Sequence, residues 1–298
     1  MLQLLKIRNK IKSVRTIHRI TETMRLASMS IYTRLEREYF GHFGFQDYLR
    51  SILIHLKQAK ASEFSEKKME KKRKLIIIAS ASKGLCGTYH EALCTFLDGA
   101  LEKKSDIFDY DFITFGIYAH QYADKALLLS NDNHLIAAHD DFSTTHLKSS
   151  CEWLFNFLFS EGEIYEHVEF FSNRSMSFFN HRPTQSTIKP FDSIFTERET
   201  IRSDHKERIE HTSPTPDDFY IYEQNRETIY TSLFHQYLYN HIYGLLLEVQ
   251  MTEQAARFLS MERATKNAEG LLKELILQRN KVRQASITRE VSELIAGM

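Results

Sequence analysis

The sequence predicts an α/β protein in which an antiparallel coiled coil of the N- and C-terminal helices carries a Rossmann-like α/β domain between them. Three observations lead there. All four prolines, Pro183, Pro190, Pro214 and Pro216, lie between two long proline-free arms, and proline is expelled from helix interiors because it lacks the N–H and clashes with the preceding turn. Both arms repeat apolar residues at close to the coiled-coil period. The middle of the chain abandons that period for short β-branched runs separated by helical patterns. The chain divides accordingly into an N-terminal arm at 1–61, an α/β domain at 74–192, an exposed loop or linker at 193–218 and a C-terminal arm at 219–298.

In the first arm the apolar series is Ile7, Ile11, Val14, Ile17, Ile20, Met24, Ala27, Ile31 and Leu35, eight steps over 28 residues. The mean step is shorter than the 3.6 of a straight helix, as a left-handed supercoil requires. Gly41 and Gly44 are expected to kink or end this helix, with a second helix over 46–60. Residues 67–74, KKMEKKRK, read as a solvated connector.

Residues 74–80, KLIIIAS, suit a buried strand of a parallel sheet. Further strands are expected at 112–116, 135–138 and 168–172, and helices at 120–129 and 145–159. The charged stretch 197–216, ending Ser-Pro-Thr-Pro, reads as an exposed loop. A helical pattern resumes near Arg226 and runs to the end. Its seam is expected at Met261, Ala264, Ala268, Leu271, Leu275, Gln278, Val282 and Ala285, continued by Ile287, Val291 and Leu294. The small residues in that series let two helices approach closely and form a thin rod.

Charge and composition exclude several function classes. The 39 basic residues balance 39 acidic ones, so global electrostatics nominate neither nucleic acid nor an anionic membrane as partner. The basic first arm leaves a nucleic-acid-binding coiled coil as an alternative, which a strong salt dependence of DNA binding would support. No apolar run approaches the ~20 residues of a membrane span, and the start of the chain does not read as a secretory signal. Cys86, Cys94 and Cys151 have neither zinc-site nor disulfide-framework spacing. The 14 histidines form no HExxH or comparable pair, so no metal site is expected.

The strand at 74–80 leads into Ala-Ser-Lys-Gly-Leu-Cys-Gly. A phosphate-cradling loop needs GxxxxGK[ST] and a dinucleotide turn needs GxGxxG; neither is present. Gly84 and Gly87, flanking Cys86, are read instead as a structural turn. No nucleophile can be paired with a base, so catalytic residues, cofactor and small-molecule substrate are all expected to be none.

Residues 252–297, TEQAARFLSMERATKNAEGLLKELILQRNKVRQASITREVSELIAG, closely resemble the C-terminal signature of the gamma subunits of F-type ATP synthases. Residues 7–24, IRNKIKSVRTIHRITETM, are similar to that family's N-terminal helix, and 83–87, KGLCG, to its glycine-cysteine turn. The resemblance implies a non-catalytic central-stalk subunit. Its C-terminal helix would stand inside a ring of three alpha and three beta subunits, and its foot would bind epsilon and the c-subunit ring. Ion flow would turn the shaft and force each catalytic beta site through its states, with the chain held peripherally on the cytoplasmic face of the cell membrane. Carried over residue by residue, Arg283 and Gln284 match a pair that hydrogen-bonds a beta loop. Thr288, Glu290 and Glu293 match polar positions that affect coupling. Arg257 matches the arginine of an AAR motif, and Met24 a methionine facing an acidic lever of beta. Departures from the family pattern are Glu22 and Ile31, where lysines are usual, together with Ser82, Lys83, Thr88 and His90 around the turn.

Overall fold

A computed structural model describes residues 2–58, 73–102, 109–127, 134–191 and 224–297. The expected loop at 193–218 lies outside the described residues, as does most of the basic connector. The helices are α1 (Leu2–Gln58), α2 (Tyr89–Glu102), α3 (Ile117–Leu127), α4 (Leu147–Ser160) and α5 (Arg226–Ala296). The strands are β1 (Arg73–Ala79), β2 (Asp109–Phe115), β3 (His134–His139), β4 (Tyr165–Ser177) and β5 (Asn180–Lys189). They form one sheet in the order β3-β2-β1-β4-β5, parallel except for β5, which pairs antiparallel with β4.

The unbroken apolar run of β1 reflects a sheet covered on both faces. Leu75, Ile77 and Ala79 point into a core shared with α1, α4 and α5, where they meet residues such as Leu53, Leu154 and Leu246. Ile76 and Ile78 point the other way, into a smaller core under α2 and α3 that includes Leu93, Leu97, Phe112 and Ala123. At the opposite end of the sheet, buried Asp111 accepts from Arg73 at 2.8 Å and from the Tyr165 hydroxyl at 2.8 Å.

The terminal helices α1 and α5 pack together as an antiparallel pair, with three corrections to the sequence reading. First, α1 runs unbroken through Gly41 and Gly44 as a single helix. Each glycine weakens a helix by ~1 kcal/mol, but packing against the first half of α5 offsets this. His42 Nε2 lies 2.7 Å from the Asn240 carbonyl oxygen, and the Gln46 amide donates to His241 Nδ1 at 2.9 Å.

Second, the seam is one residue out of phase with part of the apolar series. Ile17 and Ile20 are each 52 % exposed, and Ala27 is exposed too. The inward positions are Ile7, Ile11, Val14, His18, Thr21, Arg25, Ser28, Tyr32 and Leu35, all buried or half-buried. On α5, Leu271, Gln278 and Ala285 face out, while Leu272, Arg279 and Ser286 take their places. Steps alternating strictly between four and three keep one stripe facing the partner. The true stripe obeys that alternation by admitting polar residues.

Third, α2 and β5 were not anticipated, and β4 is longer than the stretch expected at 168–172. β5 is polar and contains Pro183, which pairs with Asn173. It is tolerated because β5 is an edge strand, where a missing N–H costs no ladder bond.

Candidate functional site

Beyond β1 the chain turns sharply through Ser82, Lys83, Gly84, Leu85, Cys86 and Gly87 before entering α2. Leu85 and Gly87 adopt left-handed backbone, at φ 69° and 63°, a conformation that glycine enters without cost and leucine rarely. A side chain at Gly84 would approach the Tyr118 hydroxyl to 3.0 Å. Gly116, not singled out by the sequence, has the tightest backbone approach: a Cβ there would lie 2.5 Å from the Ser80 carbonyl oxygen. Its position directly after β2 was the available signal.

One helical turn of α5 holds this loop. Arg257 donates from Nη2 to the Lys83 carbonyl at 3.2 Å and from Nε to the Gly84 carbonyl at 3.4 Å. It also pairs with Glu253, one turn earlier. Glu253 Oε2 accepts from the Ser82 N–H at 3.4 Å. The Ser82 hydroxyl donates to the Phe142 carbonyl at 2.6 Å, a group that also accepts from Gln250 at 2.7 Å. Cys86 is buried and directs its thiol at the Lys83 carbonyl, 3.4 Å away. Burial pushes its pKa up to about 12, so Cys86 is a protonated thiol rather than a nucleophilic thiolate.

The adjoining crevice between the C-terminal ends of β1 and β4 is the switch point of the sheet, where open α/β folds receive ligands. Here α5 fills it. The Thr252 hydroxyl contacts the Asn173 carbonyl at 3.1 Å and the Tyr89 hydroxyl at 3.0 Å. The Asn173 amide donates to the Tyr89 carbonyl at 2.8 Å. Glu253 was missed by sequence reasoning, although its spacing of four from Arg257 is that of a helical ion pair.

A sequence profile described as ATP synthase matches residues 3–298. The ATP synthase gamma chain of a Nostoc species is 30 % identical over 98 % of this chain and 96 % of its own length. The chain belongs to the ATP synthase gamma chain family. The gamma chain of Trichormus variabilis is similar to the same degree, 30 % over 98 % and 96 %. Among solved structures, the fold resembles a chain of the Euglena gracilis mitochondrial ATP synthase rotor. That match has a TM-score of 0.59 at 14 % identity and covers 96 % of this chain and 99 % of that one. A central-stalk chain of the Tetrahymena thermophila enzyme matches with a TM-score of 0.53 at 13 % identity, over 82 % and 99 %.

The residues carried over from the gamma family fall into three separate places. Arg257 is buried at the turn, beside Gly84, Cys86 and Gly87. Met24 is half-buried in the rod, next to Arg25, which pairs with Glu262 at 2.7 Å. Arg283, Gln284, Thr288, Glu290 and Glu293 are exposed near the end of α5. His18 with Glu269 and Thr21 with Thr265 set the antiparallel register. Extrapolated, it puts Leu2 opposite the level of Gln284, so about three turns of α5 run past the start of α1. The departures have definite places as well. Glu22 lies 3.8 Å from His18, Ser82 is buried against Phe142, and His90 stacks on Tyr118 at 4.4 Å.

Proposed function

We propose that this gamma-family chain is the central shaft of a rotary ATP synthase, coupling ion flow through a membrane ring to conformational cycling of catalytic beta subunits. The observation that carries this reading is the lone tip of α5. Past the start of α1 it exposes apolar Ile287, Val291, Leu294 and Ile295, the last two more than 70 % exposed, together with Arg283, Gln284 and Glu290. Spaced i, i+4, i+7 and i+8, these four apolar residues form one stripe, which needs a covering surface, and a surrounding ring of three alpha and three beta subunits supplies one. The related Tetrahymena and Euglena chains come from assemblies described as central stalk with c-ring and as rotor. This supports a foot that meets epsilon and the c-subunit ring.

A shaft transmits work only if its interaction free energy differs among the conformations of its neighbours, because a partner that binds all states equally shifts none. A rod with a charged and an apolar aspect meets that requirement by presenting a different face to each beta subunit. Arg283 and Gln284, with Thr288, Glu290 and Glu293, are the proposed contacts at the tip, and Met24 a proposed contact on the rod. Arg257 acts through the turn that it holds. The chain itself is read as non-catalytic, since α5 occupies the crevice where an α/β sheet would take a nucleotide; cofactor chemistry is assigned to the beta subunits. No described helix is long and apolar enough to cross a membrane, which supports peripheral placement, proposed on the cytoplasmic face.

Co-purification of the tagged chain tests the reading. Recovery of alpha, beta and epsilon in a complex that hydrolyses ATP is expected; recovery of the chain alone, or with nucleic acid in a salt-sensitive complex, would overturn it.

A further inference from the structure

The turn after the first strand of a parallel sheet, at the switch point, is where folds of this layering aim backbone N–H groups at a phosphate. In this chain a carboxyl group already lies there, and it belongs to the chain. Glu253 is 2 % exposed. Its Oε2 accepts from the Ser82 N–H at 3.4 Å, and the Lys83 backbone also favours its charged form. Its Oε1 takes Arg257, whose Nη2 and Nε also donate to the Lys83 and Gly84 carbonyls. Both halves of the turn's polar face are therefore met by one i, i+4 pair, the N–H side by the carboxylate and the C=O side by the guanidinium. Thr252, the neighbouring residue, seals the β4 side through Asn173 and Tyr89.

We propose that Glu253 is a resident anion. Its carboxylate occupies the phosphate position of the α/β domain, and as a positioning residue it docks that domain on the shaft helix while closing the position to free phosphate. Burial raises the pKa of Glu253, while Arg257 and the turn's backbone N–H groups oppose that shift. Arg257 stays protonated at all relevant pH, so loss of the carboxylate leaves a buried cation facing unfilled N–H groups. Such a hole has the chemistry of an oxyanion site.

The alternative is that Glu253 serves only as the ion-pair partner of Arg257, with no hold on the turn. Hydrogen exchange and thermal unfolding of the full chain separate the two. In Glu253→Gln, which keeps the shape, exchange at the Ser82 and Lys83 amides should accelerate by roughly tenfold or more, the equivalent of one charged hydrogen bond. The Ile77 amide inside β1 should be unaffected. In Glu253→Ala, inorganic phosphate at millimolar concentration should raise the Tm along a saturating curve and slow the Ser82 and Lys83 amides again, whereas wild type should show only the non-saturating response expected of an excluded salt. Unchanged turn exchange in Glu253→Gln would overturn the proposal, as would an identical phosphate response in Glu253→Ala and wild type. If Glu253→Ala does not fold, the Gln variant decides alone.

Discussion

Thr21 and Thr265 face each other across the seam of α1 and α5, with their hydroxyl oxygens 2.9 Å apart. Each hydroxyl also reaches a carbonyl of its own helix, His18 for Thr21 at 3.0 Å and Met261 for Thr265 at 2.8 Å. The pair sits in a polar middle section bordered by His18 with Glu269 and Arg25 with Glu262. Apolar contacts close both ends: Ile7, Ile11 and Leu275 on one side, Tyr32 and Leu35 on the other. Polar seam residues cost stability but fix register, because any other alignment strands them against apolar neighbours.

Thr265→Val alone should therefore destabilise the chain by about 1 kcal/mol, the usual net worth of a buried hydrogen bond. Thr21→Val with Thr265→Val should cost less than the sum of the single changes, since two matched methyl groups leave no stranded hydroxyl. Urea unfolding of the four chains gives the coupling; strict additivity would mean that the two hydroxyls do not interact.

Deletion of residues 1–39 removes the partner of the whole C-terminal seam. Long helices gain most of their stability from tertiary packing rather than propensity, so the shortened chain should aggregate or lose most of its long-helix circular dichroism. Monomeric behaviour with full helicity would show that α5 stands without α1.

His241 should make the chain acid-sensitive. It is buried, accepts from Gln46, and feels the positive charges of Arg174 and Arg50 as well as His42, so its pKa falls to about 4. A histidine whose folded pKa lies below its unfolded value is most favourable to folding above pH ~6.5. That contribution declines as the pH drops and is gone below about pH 4. Stability should fall by on the order of 3 kcal/mol across this window. His241→Gln should flatten the part of the pH–stability curve due to this residue; an unchanged curve would assign the acid sensitivity elsewhere.

Replacing Arg283 and Gln284 by alanine tests the tip. Both are exposed, so folding should change by less than ~0.5 kcal/mol. Each lost charged hydrogen bond to a partner removes about 1.5–3 kcal/mol of state-dependent interaction. Assembly should persist while ATP turnover and ATP-driven ion pumping fall. Lys148→Ala, on the exposed face of α4, is the control. Wild-type turnover in an intact double variant would make the pair a solvated helix face.

The turn shows how far a candidate site can be read from a sequence. Gly84, Cys86 and Gly87 were legible because glycines after a β-branched run announce a turn, and the missing phosphate-loop spacing denied it a nucleotide. That Arg257 and Glu253 close over it was not legible, because some 170 residues separate the partners and no local pattern encodes so distant a contact.

By itself the sequence determined the pitch of the two arms, the proline-free lengths that keep them helical, and the apolar run 75–79 of β1 that demands cover on both faces. Each of these follows from local stereochemistry or from a run of side chains too apolar to leave in water. Only the tertiary structure decided the phase of the seam. A repeat of 3.5 fixes how often a residue faces the partner, but where polar and apolar residues are adjacent it does not say which one does. Thr21, buried in place of the more apolar Ile20, faces inward because heptad geometry carries the stripe through that position and Thr265 is waiting across it with a matching hydroxyl.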